Sequence, residues 1–212
     1  MFDFDIQRML LTIPGILIGL SFHEFAHAFA SDRLGDPTPR SQGRLTLSPR
    51  AHIDILGFLF ILFARFGWAK PVQVNPRYYK NPGRDEIIVS LAGPAMNFVV
   101  AVFFTILMKI SLVFDLYSLM GETAFSILLT LFGYTIWINI MLLVFNLIPI
   151  PPLDGYHVIA NFVPYRYRDA LFKIEQYSMF ILIIFVLSPL SRIVIGKPVE
   201  FIYNFLYSLF RI

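Results

Sequence analysis

The sequence predicts an all-α integral membrane protein, a polytopic helical bundle of about 4–6 membrane segments. Three observations lead there. Of its 212 residues, 57% are hydrophobic and only 15% charged, where a soluble domain carries roughly a quarter charged residues. The apolar residues fall in long runs, and a helical run of ~20 residues crosses a bilayer core. The charges collect between those runs.

Taken in order, residues 9–30 are apolar except for three side chains near the end of the run. Residues 87–114 carry one charge, Lys109, and residues 123–150 carry none. These three runs are expected to span. A fourth, 176–195, spans if Arg192 snorkels to the interface. Two shorter pieces, 53–68 and 199–212, are ambiguous by length. The opening MFDFDIQR has no basic n-region, and no small-residue cleavage site follows the first run, so that run is expected to be retained. With no internal repeat and no polar insert, residues 1–212 read as a single transmembrane domain. The absence of cysteine excludes a thiolate metal site. The net charge of +3 sits in loops, which points to topology control and away from nucleic acid.

The chemistry concentrates in the first span. His23, Glu24 and His27 match H-E-x-x-H. On a helix, positions i and i+4 share a face, so two imidazoles can hold one zinc, with the intervening Glu beside the metal-activated water. Three ionisable side chains inside an apolar helix are costly in lipid and point to function. The bland alternative is a set of structural interhelical hydrogen bonds. Zinc needs a third protein ligand and an open position. The remaining histidines are His52 and His157, and among carboxylates Asp154 stands out. It follows the longest uncharged run, in NLIPIPPLDG, where Pro149, Pro151 and Pro152 break the helix. An unwound helix end can point a carboxylate back into the membrane interior. Taken alone, a solvated turn Asp is the ordinary reading of that loop.

At these residues the chain resembles the site-2 protease family of intramembrane zinc metalloproteases. HEFAH matches that family's metal motif. NLIPIPPLDG resembles its Asn-Pro-x-x-Asp-Gly region, LAGPAMNF its Gly-Pro-x-x-Asn segment, and GWAKPVQVNP also looks familial. The resemblance covers about residues 15–160 and implies a minimal form without a PDZ or CBS domain. It implies zinc held by His23, His27 and Asp154, with Glu24 as general base. Asn97 and Asn146 match family asparagines that support substrate or site. The implied activity is hydrolysis of a peptide bond within a transmembrane segment of a membrane protein. The alternative is a non-proteolytic membrane metal-binding or transport protein. His52 and Asp54 in SPRAHID are also familial in look, with His52 read as a satisfied interfacial histidine. His157, three residues after Asp154, is the weaker alternative to it as a ligand. Asn139 and Asn146 share a helical face, and Tyr134 and Trp137 are read as packing residues.

A shared zinc sets the topology, because ligand bonds of ~2.0–2.2 Å require the ends of the first and third long spans at one depth. That holds if 53–68 is re-entrant or interfacial. Loop charges agree. Stretch 31–52 carries Arg33, Arg40, Arg44 and Arg50, and stretch 65–86 carries Arg65, Lys70, Arg77, Lys80 and Arg84. Stretch 115–122 has no Lys or Arg, whereas 151–175 has Arg166, Arg168 and Lys173. By the positive-inside rule the site is expected to face the cytoplasm; the expected location is the cell membrane of a prokaryote. Stretch 67–84 is expected to form an irregular or β-like edge near the site, able to pair with an unwound substrate.

Overall fold

The computed structural model describes residues 6–64 and 67–212. All regular structure among them is helical. The first helix, α1 (Ile6–Arg33), is 28 residues long. Short helices α2 (Thr38–Ser41) and α3 (Pro49–His52) follow, then α4 (Ile55–Ala64). Residues 67–75 have no regular structure, and this strap leads into the 32-residue α5 (Pro82–Val113). Helix α6 (Leu116–Asn146) is broken at Gly121, whose φ of 77° favours glycine, leaving a 25-residue span Glu122–Asn146. After a proline-rich turn come α7 (Asp154–Ala160), α8 (Arg168–Gln176), α9 (Ser178–Leu187), α10 (Pro189–Ser191) and α11 (Lys197–Phe210).

Among the described residues, four helices are long and apolar enough to cross a membrane: Ile6–Arg33, Pro82–Val113, Glu122–Asn146 and Pro189–Phe210. The pair α8 and α9, bent by 65°, makes a fifth if it is one broken span. The three main expected runs are therefore helices with nearly the expected bounds. The last part differs. Residues 176–195 are not one helix, because α9 ends at Leu187 and Ser188 is extended (φ −75°, ψ 152°). The cause is Pro189, which has no N–H to donate and disfavours helical geometry in the residue before it. The helix restarts there and runs through a π-helical turn, Arg192–Gly196, to Phe210. The ambiguous 199–212 thus forms the larger part of a 22-residue span. The other ambiguous piece contains α4, whose 10 residues rise only ~15 Å, half of a bilayer core.

Packing centres on α5 and α6. Ala101 and Met108 of α5 meet Ile136, Ile140 and Val144 of α6, closed by Val199 and Leu206 of α11. A second cluster joins Ile16 and Leu20 of α1 to Ile138 of α6, with Phe58, Ile61 and Leu62 of α4 against it. Small residues set the α1–α6 distance: a Cβ on Gly15 would stand 3.0 Å from the Thr135 backbone, and one on Gly19 would stand 2.7 Å from Leu142. Outward faces are apolar, as at Val99, Phe103, Ile110 and Phe205. The chain is an integral membrane protein in its architecture, with large apolar side chains turned outward where lipid takes the place of water.

His23 and His27, late in α1, lie 3.2 and 3.4 Å from Asp154, just past α6, so the C-terminal ends of α1 and α6 lie at the same end of the bundle. With no native cysteine, single cysteines test this. Ser41→Cys and Arg166→Cys are expected to react with a membrane-impermeant thiol reagent from one side, and Leu119→Cys from the other. Opposite labelling of positions 41 and 166 would overturn the arrangement.

Candidate metal centre and active site

His23, Glu24 and His27 lie on the buried face of α1, at 5%, 8% and 9% exposure. The two Nε2 atoms converge to 3.0 Å. Asp154, the first residue of α7, completes the group, with Oδ2 3.2 Å from His23 Nε2 and Oδ1 3.4 Å from His27 Nε2. One ligand atom from each of the three residues falls within 4.8 Å of the others.

The ring orientations follow from the partners of the far nitrogens. His27 Nδ1 is 2.7 Å from the Val89 carbonyl, which can only accept. Nδ1 therefore carries the hydrogen, and Nε2 presents a lone pair. His23 Nδ1 is 2.7 Å from Asn97 Oδ1. The Asn97 amide is itself oriented, because its Nδ2 donates to Gly19 O and to Asn139 Oδ1, each at 3.0 Å. Asn139 is fixed in turn by donation to Thr135 O. His23 Nδ1 is thus also a donor, and its Nε2 is also a lone pair. Two lone pairs and a carboxylate therefore face one another in a buried space with no donor between them. Asp154 Oδ2 is buried without a hydrogen-bond partner. Such a set suits a cation, and two imidazoles with one carboxylate suit zinc.

The neighbouring backbone is shaped around this group. A Cβ on Gly93 of α5 would stand 2.3 Å from His27 Nε2 and 2.7 Å from His23 Nε2, so only glycine fits behind the pair. Asp154 is placed by the turn 147–153, which has lost helical geometry at its three prolines. Gly155 belongs to that turn by close approach, since a Cβ there would lie 2.2 Å from Leu147 O. Glu24 is outside the ligand group. Its Oε2 accepts from the Val72 N–H of the strap at 2.8 Å, across 48 residues of sequence. The strap is also tied at Asn75, whose N–H donates to Asp36. Burial works against the charge on Asp36, but hydrogen bonds from Thr38, Asn75 and Ser31 outweigh it and hold the carboxyl below its ordinary range.

The other residues singled out in the sequence fall elsewhere. Asn146 donates to Leu142 O within its own helix, whereas Asn139 bridges to Asn97. His52 is fully buried, with Nε2 2.7 Å from Thr46 O, and burial pushes its pKa down. Asp54 accepts from Gly57 N at the start of α4. His157 is not in the ligand group; it lines a cavity of about 410 Å³ with Glu86, Asn161 and Arg168. Trp137 packs edge to face on Tyr203. Sequence reasoning missed Gly93, the Val89 carbonyl and the Val72 amide. For Gly93 a signal existed, since Gly93 and Asn97 stand at i and i+4 and so share one face of α5.

A membrane-embedded helical bundle with a buried His-His-Asp group and an adjacent Glu defines the class of membrane zinc metalloproteases. The chain belongs to peptidase family M50, whose profile matches residues 11–189. It is 38% identical over 196 residues to a Bacillus subtilis (strain 168) protein named "Putative zinc metalloprotease YwhC", covering 91% of this chain and 87% of that protein. Two mycobacterial relatives carry the same description under the name Rip2. The one from Mycolicibacterium smegmatis is 31% identical over 184 residues, and the one from Mycobacterium tuberculosis (H37Rv) 30% over 185. Each alignment covers 85% of this chain and 68% of the relative. No solved structure matches the chain.

Gly93→Ala is expected to weaken metal affinity at least about tenfold, or ~1.4 kcal/mol, measured by competition with a chelator. Gly83→Ala on the same helix, where the nearest atom is Asn161 Oδ1 at 3.4 Å, should leave affinity unchanged.

Proposed function

We propose that this zinc metalloprotease is an intramembrane endopeptidase that hydrolyses a peptide bond within a transmembrane segment of a membrane protein. The observation that carries the reading is the acceptor-only group of His23, His27 and Asp154 beside Glu24, built into a membrane-spanning helix. The two Nε2 atoms and the Asp154 carboxylate would hold the metal. Bound zinc supplies Lewis acidity, which polarises a carbonyl and acidifies water. Glu24 is the general base. Its Oε2 is held by the Val72 N–H, leaving Oε1 to take a proton from the attacking water and pass it to the leaving amine. The water oxygen bonds to the scissile carbon, the C–N bond breaks, and the two protons of water end on the new termini.

A helical substrate hides each interior carbonyl in a hydrogen bond to the i+4 amide, so it must unwind before reaction. Small or helix-breaking residues near the scissile bond lower that cost. The strap supports an extended substrate: among the described residues, the Gln73 and Val74 N–H groups have no hydrogen-bond partner. A substrate segment can pair there by strand addition. The distribution of Lys and Arg supports a site toward the cytoplasm, and the bacterial relatives support the plasma membrane of a prokaryote. The rival reading, a metal-binding or transport protein, favours ionisable groups along several spans. The described residues contain one candidate metal group.

Purified protein is expected to hold about one zinc per chain, lost in the His23→Ala/His27→Ala double variant. Glu24→Gln should keep the zinc and abolish hydrolysis. Comparing membrane proteomes of cells carrying the wild type and Glu24→Gln should reveal a protein cleaved only by the former. Equal cleavage by both rejects Glu24 as base, and cleavage by neither rejects the protease reading. Asp154→Ala should weaken zinc binding strongly and His157→Ala hardly at all; the reverse would move the third ligand to His157.

A further inference from the structure

We propose that Arg44 is a positioning residue for Glu24, acting through the peptide plane between Pro71 and Val72. The inference rests on Glu24 being the base of the reaction. Arg44 follows α2 and is only 6% exposed. Its Nη1 donates to Ala51 O at 2.6 Å and to Lys70 O at 3.1 Å, and its Nη2 to Pro71 O at 3.1 Å. Among the described residues its partners are these three carbonyls, with no carboxylate. A buried cation without a counter-charge is costly, so its acceptors must be well placed. A planar guanidinium meets several fixed acceptors at once, as an ammonium does not.

The strap has no helix or sheet ladder to order it, yet its backbone groups from the Lys70 N–H to the Val72 N–H are all engaged. The Lys70 N–H donates to His52 O at 2.8 Å. The Lys70 and Pro71 carbonyls accept from Arg44, and the Val72 N–H donates to Glu24 Oε2 at 2.8 Å. The Pro71 C=O and the Val72 N–H belong to one peptide unit. A trans peptide is planar, with its C=O and N–H pointing opposite ways. Holding the oxygen from one side therefore aims the hydrogen to the other. Arg44 and Glu24 sit at the two ends of that rigid plane. A positive charge on the carbonyl also strengthens the N–H as a donor. Glu24 thereby keeps Oε2 occupied and Oε1 free.

The test compares wild type, Arg44→Ala and Arg44→Lys as purified full-length protein in detergent. Three measurements are made: zinc content, kcat and KM on fluorescein-labelled casein, and amide exchange at Lys70, Val72 and Asn75. In Arg44→Ala, kcat should fall about tenfold to a hundredfold with zinc retained, as a displaced general base implies. KM should change little by comparison. Exchange should accelerate at Val72 and Lys70 while Asn75, held by Asp36, keeps its protection. Arg44→Lys should recover only part of kcat. Wild-type kcat in Arg44→Ala, unchanged exchange at Val72, or loss of zinc together with Asn75 protection would each overturn the proposal. A zinc-loaded wild type that leaves casein intact shows that a chain without a transmembrane segment is no substrate, and removes the kinetic comparison. The exchange measurement then decides by itself whether Arg44 orders the Val72 amide.

Discussion

Three hydrogen-bond acceptors are made to face one another inside an apolar bundle, and the structure is arranged around that constraint. The Nε2 atoms of His23 and His27 and the carboxylate of Asp154 come within 3.0–3.4 Å of one another. Mutual repulsion between such groups grows as the local dielectric falls. They stay together because each is held from behind: His23 by Asn97, His27 by the Val89 carbonyl, Asp154 by a turn closed against Leu147. A divalent cation turns that repulsion into attraction. Metal and fold would be linked as a consequence, since an ion held by His23, His27 and Asp154 would tie α1 to α7 across more than a hundred residues of chain.

Helix packing serves this centre directly. Glycines at 15 and 19 let α1 approach α6, and Gly93 lets α5 approach α1, where any side chain would enter the metal group. Through the space thus opened, a chain of amides runs from Thr135 to Asn139 to Asn97 to His23, joining three helices. Polar groups buried in a membrane protein need partners inside it. Here those partners also set the tautomer of His23, one of the proposed metal ligands.

Much of this was legible in the sequence, for local reasons. H-E-x-x-H needs only helical periodicity, and the long spans need only length and low charge. Asp154 was legible because three prolines ahead of it unwind a span at the right depth. What stayed hidden depends on distant pairing. Arg44 reads as one more basic loop residue, yet it is buried beneath carbonyls 26 and 27 positions away. Asn139 and Asn146 share a face, but only depth along the helix decides which meets Asn97. At 176–195 an even run of apolar residues concealed the break imposed by Pro189. Hydropathy counts side chains, whereas proline acts on the backbone.

The strap has a bearing on how such a protein diversifies. It is secured at residues 70, 71, 72 and 75 through peptide groups, so its anchorage is indifferent to most of the side chains it carries. Lys70, Val72 and Val74 can be exchanged without loosening the strap, provided the new residue keeps its amide. Selectivity for one polypeptide over another can drift along this stretch while the hydrolytic apparatus stays unaltered. The bundle thereby retains a surface on which preference is free to evolve.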